Sequence, residues 1–210
     1  MRGLPVLAGA LPTFEVGEAP AGPIDLFVSW LREAASAGVV EPHVMTLATV
    51  DADGWPDARV LLLREVDESG WHFATDSISA KGRQLAGQSV ACLVFYWPEQ
   101  GRQVRVRGRV ATLDREACAR DFLTRSPVSR AASLAGPQSE VLPALSELDR
   151  AVSDAERRVA DAPDTVFERH TVYVVVPSSV EFWQGDPDRR HVRLRYREVG
   201  GSWTKELLWP

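Results

Sequence analysis

From Gln103 to Val110 the chain alternates with a period of two: Val104, Val106 and Val110 fall on one side, Gln103, Arg105, Arg107 and Arg109 on the other. Only an extended strand sends successive side chains to opposite faces, so this stretch predicts a barrel strand with an apolar core face and a polar face. The polar face meets solvent, an anion or a partner subunit. Strand patterns recur around it. Val44 to Val50, Arg59 to Val66 and Trp71 to Thr75 are separated by the turns Asp51–Gly54, closed by Pro56, and Asp67–Gly70. Val90 to Trp97 pairs with Gln103 to Leu113 as a hairpin. Thr171 to Val176, Val180 to Gln184, Val192 to Tyr196 and Trp203 to Leu208 complete the set.

Helical spacing appears in three places. Leu26, Phe27, Trp30 and Leu31 follow Pro23, with Asp25 as the expected N-cap and Gly38 as the stop. Ser79 to Ala86 reads as a short helix. Asp114 caps a helix to about Leu123; a linker rich in Ser, Pro and Gly then runs from Ser126 to Ser139, and Leu142 to Val159 forms a helix with Leu145, Leu148 and Val152 on one face. Strands, helices and strands again, without βαβ alternation, predict a mainly β protein with helices (α+β), an antiparallel barrel. Residues 1–23, with four prolines and four glycines, read as an irregular arm, and 24–210 as a single domain.

Composition narrows the function. The 210 residues are 45% hydrophobic, enough for a core, and a net charge of −5 with no basic tail gives no nucleic-acid footprint. Cys92 and Cys118 form no Cys-x-x-Cys and read as small apolar residues. The early apolar residues are broken by Gly3, Pro5, Gly9 and Pro12, a poor leader, and no apolar run approaches the roughly 20 residues of a membrane helix. A soluble cytoplasmic protein is expected. Dinucleotide, P-loop, nucleophile-elbow and zincin motifs are missing from the sequence, and the four histidines stand apart, so no metal site is expected.

The basic residues suggest chemistry instead. Arg59 and Arg64 flank the apolar run Val60-Leu61-Leu62-Leu63; Lys81 follows Ser77 and Ser79; Arg125 and Ser129 precede Gln138-Ser139; and Arg189, Arg190, His191 and Arg193 follow Trp183. Guanidinium groups bind phosphate oxygens in pairs, lysine acts as a point charge, and a helix start adds N–H donors. Trp183 packs either in the core or against a planar ring. Placed at strand ends and loops, the set points to a phosphorylated ligand.

These segments also resemble a known family. Glu181-Phe182-Trp183-Gln184-Gly185, then Arg189-Arg190-His191-Val192-Arg193-Leu194-Arg195-Tyr196, Trp203 and Leu207-Leu208-Trp209-Pro210 resemble the C-terminus of the pyridoxine/pyridoxamine 5′-phosphate oxidases. Ala48-Thr49-Val50-Asp51, Arg59 to Arg64, Thr75, Ser79-Ala80-Lys81, Arg102-Gln103-Val104, Arg125-Ser126-Pro127 and Gln138-Ser139 follow in the family's order, so the resemblance spans about residues 25–210. It implies a split β-barrel homodimer with FMN at each subunit interface. It assigns to the flavin Arg59, Val60, Leu61, Leu62, Arg64, Thr75, Lys81 and Gln103 from one wall, and Gln138, Ser139, Trp183 and Arg193 from another, partly across the dimer. Lys81 and Arg59 would meet the FMN phosphate. Arg64, Arg125 and Ser129 would meet a substrate phosphate, with Arg189 and His191 as catalytic residues over the reacting carbon.

The resemblance further implies hydride transfer to the flavin and reoxidation by O2 to hydrogen peroxide, giving pyridoxal 5′-phosphate. Three positions depart from the family: Arg64 stands for a lysine, Ala80 for an arginine and Asp121 for a tyrosine at the substrate phosphate. Asp121 would repel a phosphate if it faced one, and is harmless if it faces solvent. A relative oxidising another reduced aromatic ring, of the dihydrophenazine type, is an alternative, as is a non-catalytic protein that binds flavin or pyridoxal phosphate.

Overall fold

The computed structural model describes residues 5–210; residues 1–4 of the expected arm lie outside them. Helix α1 (Pro23–Ser36) starts on Pro23, whose fixed φ and missing N–H suit a first helical position. Gly22 is its cap and Asp25 lies inside the first turn without a capping bond, so the expected Asp25 cap is corrected.

Strands β1 (Val44–Val50) and β2 (Pro56–Leu62) form a hairpin; β3 (Glu65–Asp67) and β4 (Gly70–Asp76) form another. The single strand expected over 59–66 is therefore two. At the break, Leu63 N–H donates to the His43 carbonyl and Arg64 N–H to that of His72, so the backbone changes partner there. Helix α2 (Ala80–Gly87), the hairpin β5 (Val90–Trp97) and β6 (Arg102–Thr112), and α3 (Arg115–Thr124), capped by Asp114, follow as anticipated. The expected linker holds a further helix, α4 (Pro127–Leu134), capped by Ser126 with proline at its first position. Helix α5 (Leu145–Asp161) buries Ala155 and Val159 against Ala131 of α4. Leu145 and Leu148, expected on one face of the helix, are 75% and 43% exposed.

Strand β7 (His170–Gln184) is the spine of the sheet. Two separate strands, Thr171 to Val176 and Val180 to Gln184, were expected here. Instead the register against β6 shifts between Arg107 and Gly108, and Pro177, which has no N–H to give, sits opposite that irregularity. The first half of β7 pairs with β4, the second half with β8 (Val192–Val199), and β8 with β9 (Ser202–Leu207). All nine strands pair antiparallel, in the order β2-β1-β5-β6-β7-β4-β3 with β8 and β9 branching from β7. This is a mixed α+β fold with a curled antiparallel sheet.

The core is aromatic. Phe27 of α1 meets Trp71, Phe95 and Trp97, while Trp30 packs edge-on to Phe182. The alternation on β6 holds: Val104 and Val106 are fully buried, Arg107 and Arg109 exposed. Cys118 is buried, but Cys92 is only partly so, and both are free. Among the described residues, no helix is long and apolar enough to cross a membrane, and no group of three or more His, Cys, Asp or Glu could hold a metal ion.

Candidate active site

A cavity of about 970 Å³ opens where β2, β4, α4 and the start of α5 converge. Val60, Leu61, Leu62, Arg64, Thr75, Arg125, Ser129 and Gln138 line it, joined by His170. Eight residues singled out in the sequence thus share one concavity.

Lys81 stands beside it. The residue is buried, and its Nζ donates to Thr75 Oγ1 at 3.3 Å, Gln138 Oε1 at 3.3 Å and Ser79 Oγ at 3.5 Å. Burial, and then the Arg59 guanidinium, push its pKa below 10.5. Ser79 accepts from Gly82 N–H, and Ser139, at φ 77°, accepts from Ala80 N–H, so two hydroxyls cap the start of α2 beside the ammonium. Gly82 allows this approach: a Cβ there would lie 2.3 Å from the Ser77 carbonyl oxygen. Arg59 donates to Thr49 Oγ1 at 2.6 Å and Gln84 Oε1 at 3.0 Å, and pairs with Asp57. Asp76 is buried and lines the cavity; its Oδ2 makes no hydrogen bond but is paired with Arg169 Nη2 at 3.4 Å.

A second basic cluster forms the other end. Arg125 donates to Ser133 Oγ at 2.6 Å; burial, then Arg64, lower its pKa. Arg64 directs Nε and Nη2 to Asp121 Oδ1 at 3.1 and 2.8 Å, and the other carboxylate oxygen meets His170 Nε2 at 2.7 Å. Burial pushes the Asp121 carboxyl up, but the hydrogen bond from His170 and then that from Arg64 prevail, and its pKa lies below 3.8. Asp121 therefore does not turn to bulk solvent.

The remaining candidates stand elsewhere on the chain. Gln103 pairs with Trp183, and the Trp183 ring packs 4.9 Å from that of His191. Arg193 is bound by Glu181 Oε1 at 2.9 and 2.8 Å and by the Trp209 carbonyl at 2.8 Å. Arg189 is exposed with φ 66°, and His191 Nδ1 accepts from Asp186 N–H. None of these residues lines the cavity. Trp183 lies thirteen positions beyond His170 on β7, about 40 Å of strand contour.

Sequence reasoning missed His170, Asp76 and Glu181. Glu181 had a signal, since it sits two positions before Trp183 on a strand face opposite arginines of β6 and β8. His170 and Asp76 had none, because their roles depend on α3 and the sheet meeting.

Family comparison agrees with this geometry. Residues 31–158 match the model described as pyridoxamine 5′-phosphate oxidase, and residues 170–210 match the pyridoxine 5′-phosphate oxidase C-terminal dimerisation region. The chain is 43% identical over 194 residues to a pyridoxine/pyridoxamine 5′-phosphate oxidase of Pseudomonas paraeruginosa, covering 91% of this chain and 90% of that protein. It is 42% identical to one from Thermosynechococcus vestitus, covering 92% and 91%. Among solved structures, PhzG from Burkholderia lata in complex with tetrahydrophenazine-1-carboxylic acid superposes with a TM-score of 0.88 at 31% identity, over 96% of this chain and 100% of that one. A related FMN-binding protein from Nostoc punctiforme shares the fold at TM-score 0.73 and 20% identity, over 90% and 98%. On the strength of the cavity, its two basic clusters and a likeness that runs through nearly the whole chain, this protein belongs to the pyridoxamine 5′-phosphate oxidase family.

Proposed function

We propose that the protein is an FMN-dependent oxidase that converts pyridoxamine or pyridoxine 5′-phosphate to pyridoxal 5′-phosphate, working as a homodimer with O2 as acceptor. The observation that carries this reading is the pair of basic clusters around one cavity: buried Lys81 with Thr75, Gln138 and the capped start of α2 at one end, Arg64, Arg125 and Ser129 at the other. The first fits the phosphate end of FMN, because a buried ammonium with a depressed pKa gains most from an anion and the Ser79 and Ser139 hydroxyls lie at the same helix start. Asp76 Oδ2, which makes no hydrogen bond and is paired only with Arg169 at 3.4 Å, is an acceptor suited to a hydroxyl of the ribityl chain. Arg59 would add positive charge, and Val60 to Leu62 an apolar wall for a flat ring.

When bound, FMN supplies the hydride acceptor and passes electrons to oxygen. The protein's part is positioning. Arg125 and Ser129 hold the substrate's anionic end, and Arg189 and His191 come from a second copy. In neutral His191, Nδ1 is an acceptor for Asp186 N–H, so Nε2 carries the proton and is the atom left to exchange one with substrate. Identity of 43% to a B6-phosphate oxidase against 31% to the phenazine protein favours the B6 phosphates as substrates.

The test is purification and a peroxide assay. We expect a yellow protein that binds FMN and releases hydrogen peroxide with pyridoxamine 5′-phosphate. A colourless protein that ignores added FMN, or a flavoprotein that turns over a reduced aromatic ring and no B6 phosphate, would overturn the proposal.

A further inference from the structure

Asp121 is an acidic side chain held between Arg64 and His170, both of which line the cavity. Arg64, 36% exposed at its side chain, spends two of its donors on Asp121 Oδ1, and His170, almost wholly buried, holds Oδ2. The carboxylate is 20% exposed at its side chain and stays ionised there. An anion entering between Arg64 and Arg125 meets a guanidinium two of whose nitrogens are already bound to a carboxylate. Counting formal charges with His170 neutral, two arginines and one aspartate leave a single positive charge, where Arg64 and Arg125 alone would present two. The other acidic residues on the cavity wall, Asp76, Glu140 and Glu147, are each paired with an arginine of their own, Arg169, Arg83 and Arg150. A phosphate monoester is largely a dianion at neutral pH. The charge at this end matches a singly charged or uncharged substituent better than a dianion.

We propose that Asp121 is a specificity-determining residue that lowers the site's preference for a phosphate dianion, so that ring substrates bearing one negative charge or none at this end bind comparably to phosphorylated ones. The inference rests on the reading of the cavity as the substrate site. Its mechanism is neutralisation of Arg64, with Arg125 left as the principal anion contact. A carboxylate-to-amide change keeps the side chain's shape while removing the charge, freeing Arg64 to turn to the ligand.

The experiment uses the FMN-loaded protein and two ligands that differ only in the phosphate, pyridoxal 5′-phosphate and pyridoxal, titrated by the change in flavin absorbance. The wild type is expected to bind the phosphate form no more than about tenfold more tightly. In Asp121→Asn, and in Asp121→Ala as a second variant of smaller volume, that ratio should rise about tenfold or more, with the pyridoxal Kd and the FMN affinity unchanged. A ratio that is unmoved or falls in both variants, while both ligands still bind, overturns this inference alone, because Asp121 then serves only to orient Arg64. A flavoprotein whose spectrum responds to neither ligand, in wild type or variant, overturns the proposed function and this inference with it.

Discussion

At the scale of single residues, the chain places charge where burial makes it costly, and that cost is informative. Lys81 is buried among three neutral oxygens, and its pKa lies below 10.5. Unfolding therefore takes up a proton between the folded value and 10.5, so stability rises with pH across that window. Lys81→Met should abolish that rise and leave the flavin-free protein at least as stable at pH 7, while weakening FMN about tenfold or more through loss of a charge-assisted contact. Thermal melts and flavin titration check both halves; unchanged FMN affinity moves the lysine out of the site. At Asp67 folding favours the charged form instead, and stability again rises with pH across its window. The Ser69 hydroxyl above all, then His72 and the Ser69 N–H, hold its carboxyl at about 2 against its partial burial. Its contribution is full above the ordinary 3.8 and is lost as pH falls through about 2. Asp67→Asn should cost about 0.5–1 kcal/mol at pH 7 and flatten the acid limb of a denaturation profile between those values. The basic site residues were legible as types, because guanidinium and ammonium groups beside turn hydroxyls are an anion's partners whatever the fold. Asp121 was legible only as a departure; that it pairs with Arg64 and His170 depends on α3 lying against β7, which no local pattern encodes.

At the scale of elements, what the sequence concealed has a common cause: backbone irregularity that tertiary pairing tolerates. The strand 170–184 was expected as two, and proline cannot donate to a ladder, yet it is continuous because the shift at Gly108 absorbs the mismatch. Gly108 is needed for this. A Cβ there would stand 1.9 Å from the Val176 carbonyl oxygen, a contact that only backbone movement can relieve. Gly108→Ala should destabilise the protein by about 2 kcal/mol or more and loosen the junction where β7 changes partner from β4 to β8, read by chemical denaturation and amide exchange along β7. An alanine variant of wild-type stability would remove the bulge from this account. Helix α4 was hidden for a different reason: Ser-Pro-Val-Ser scores as linker, yet serine cap and proline at the first position are also a helix start. By contrast α1 and β6 were legible because each carries a period that only one secondary structure satisfies.

At the scale of the whole molecule, the residues assigned to one site fall into two groups that a single chain keeps apart. Arg125 lines the cavity, whereas His191 packs on Trp183, about 40 Å of contour along β7 from His170. None of the second group lines the cavity, so the proposed shared site takes the first group from one copy and the second from another. The matched C-terminal dimerisation region, with exposed Leu207 and Trp209, makes such a pairing reasonable. Subunit mixing tests it. Arg125→Ala and His191→Ala should each be nearly inactive alone. In a mixed dimer one site collects both lesions and the other collects neither. Random reassociation of equal amounts makes about half the dimers mixed, so about a quarter of wild-type sites should reappear. If each chain built its own complete site, every site in the mixture would still carry one lesion and no activity would return. Recovery near a quarter therefore establishes that the two groups meet across the interface, and its absence on verified mixed dimers would place them in separate sites.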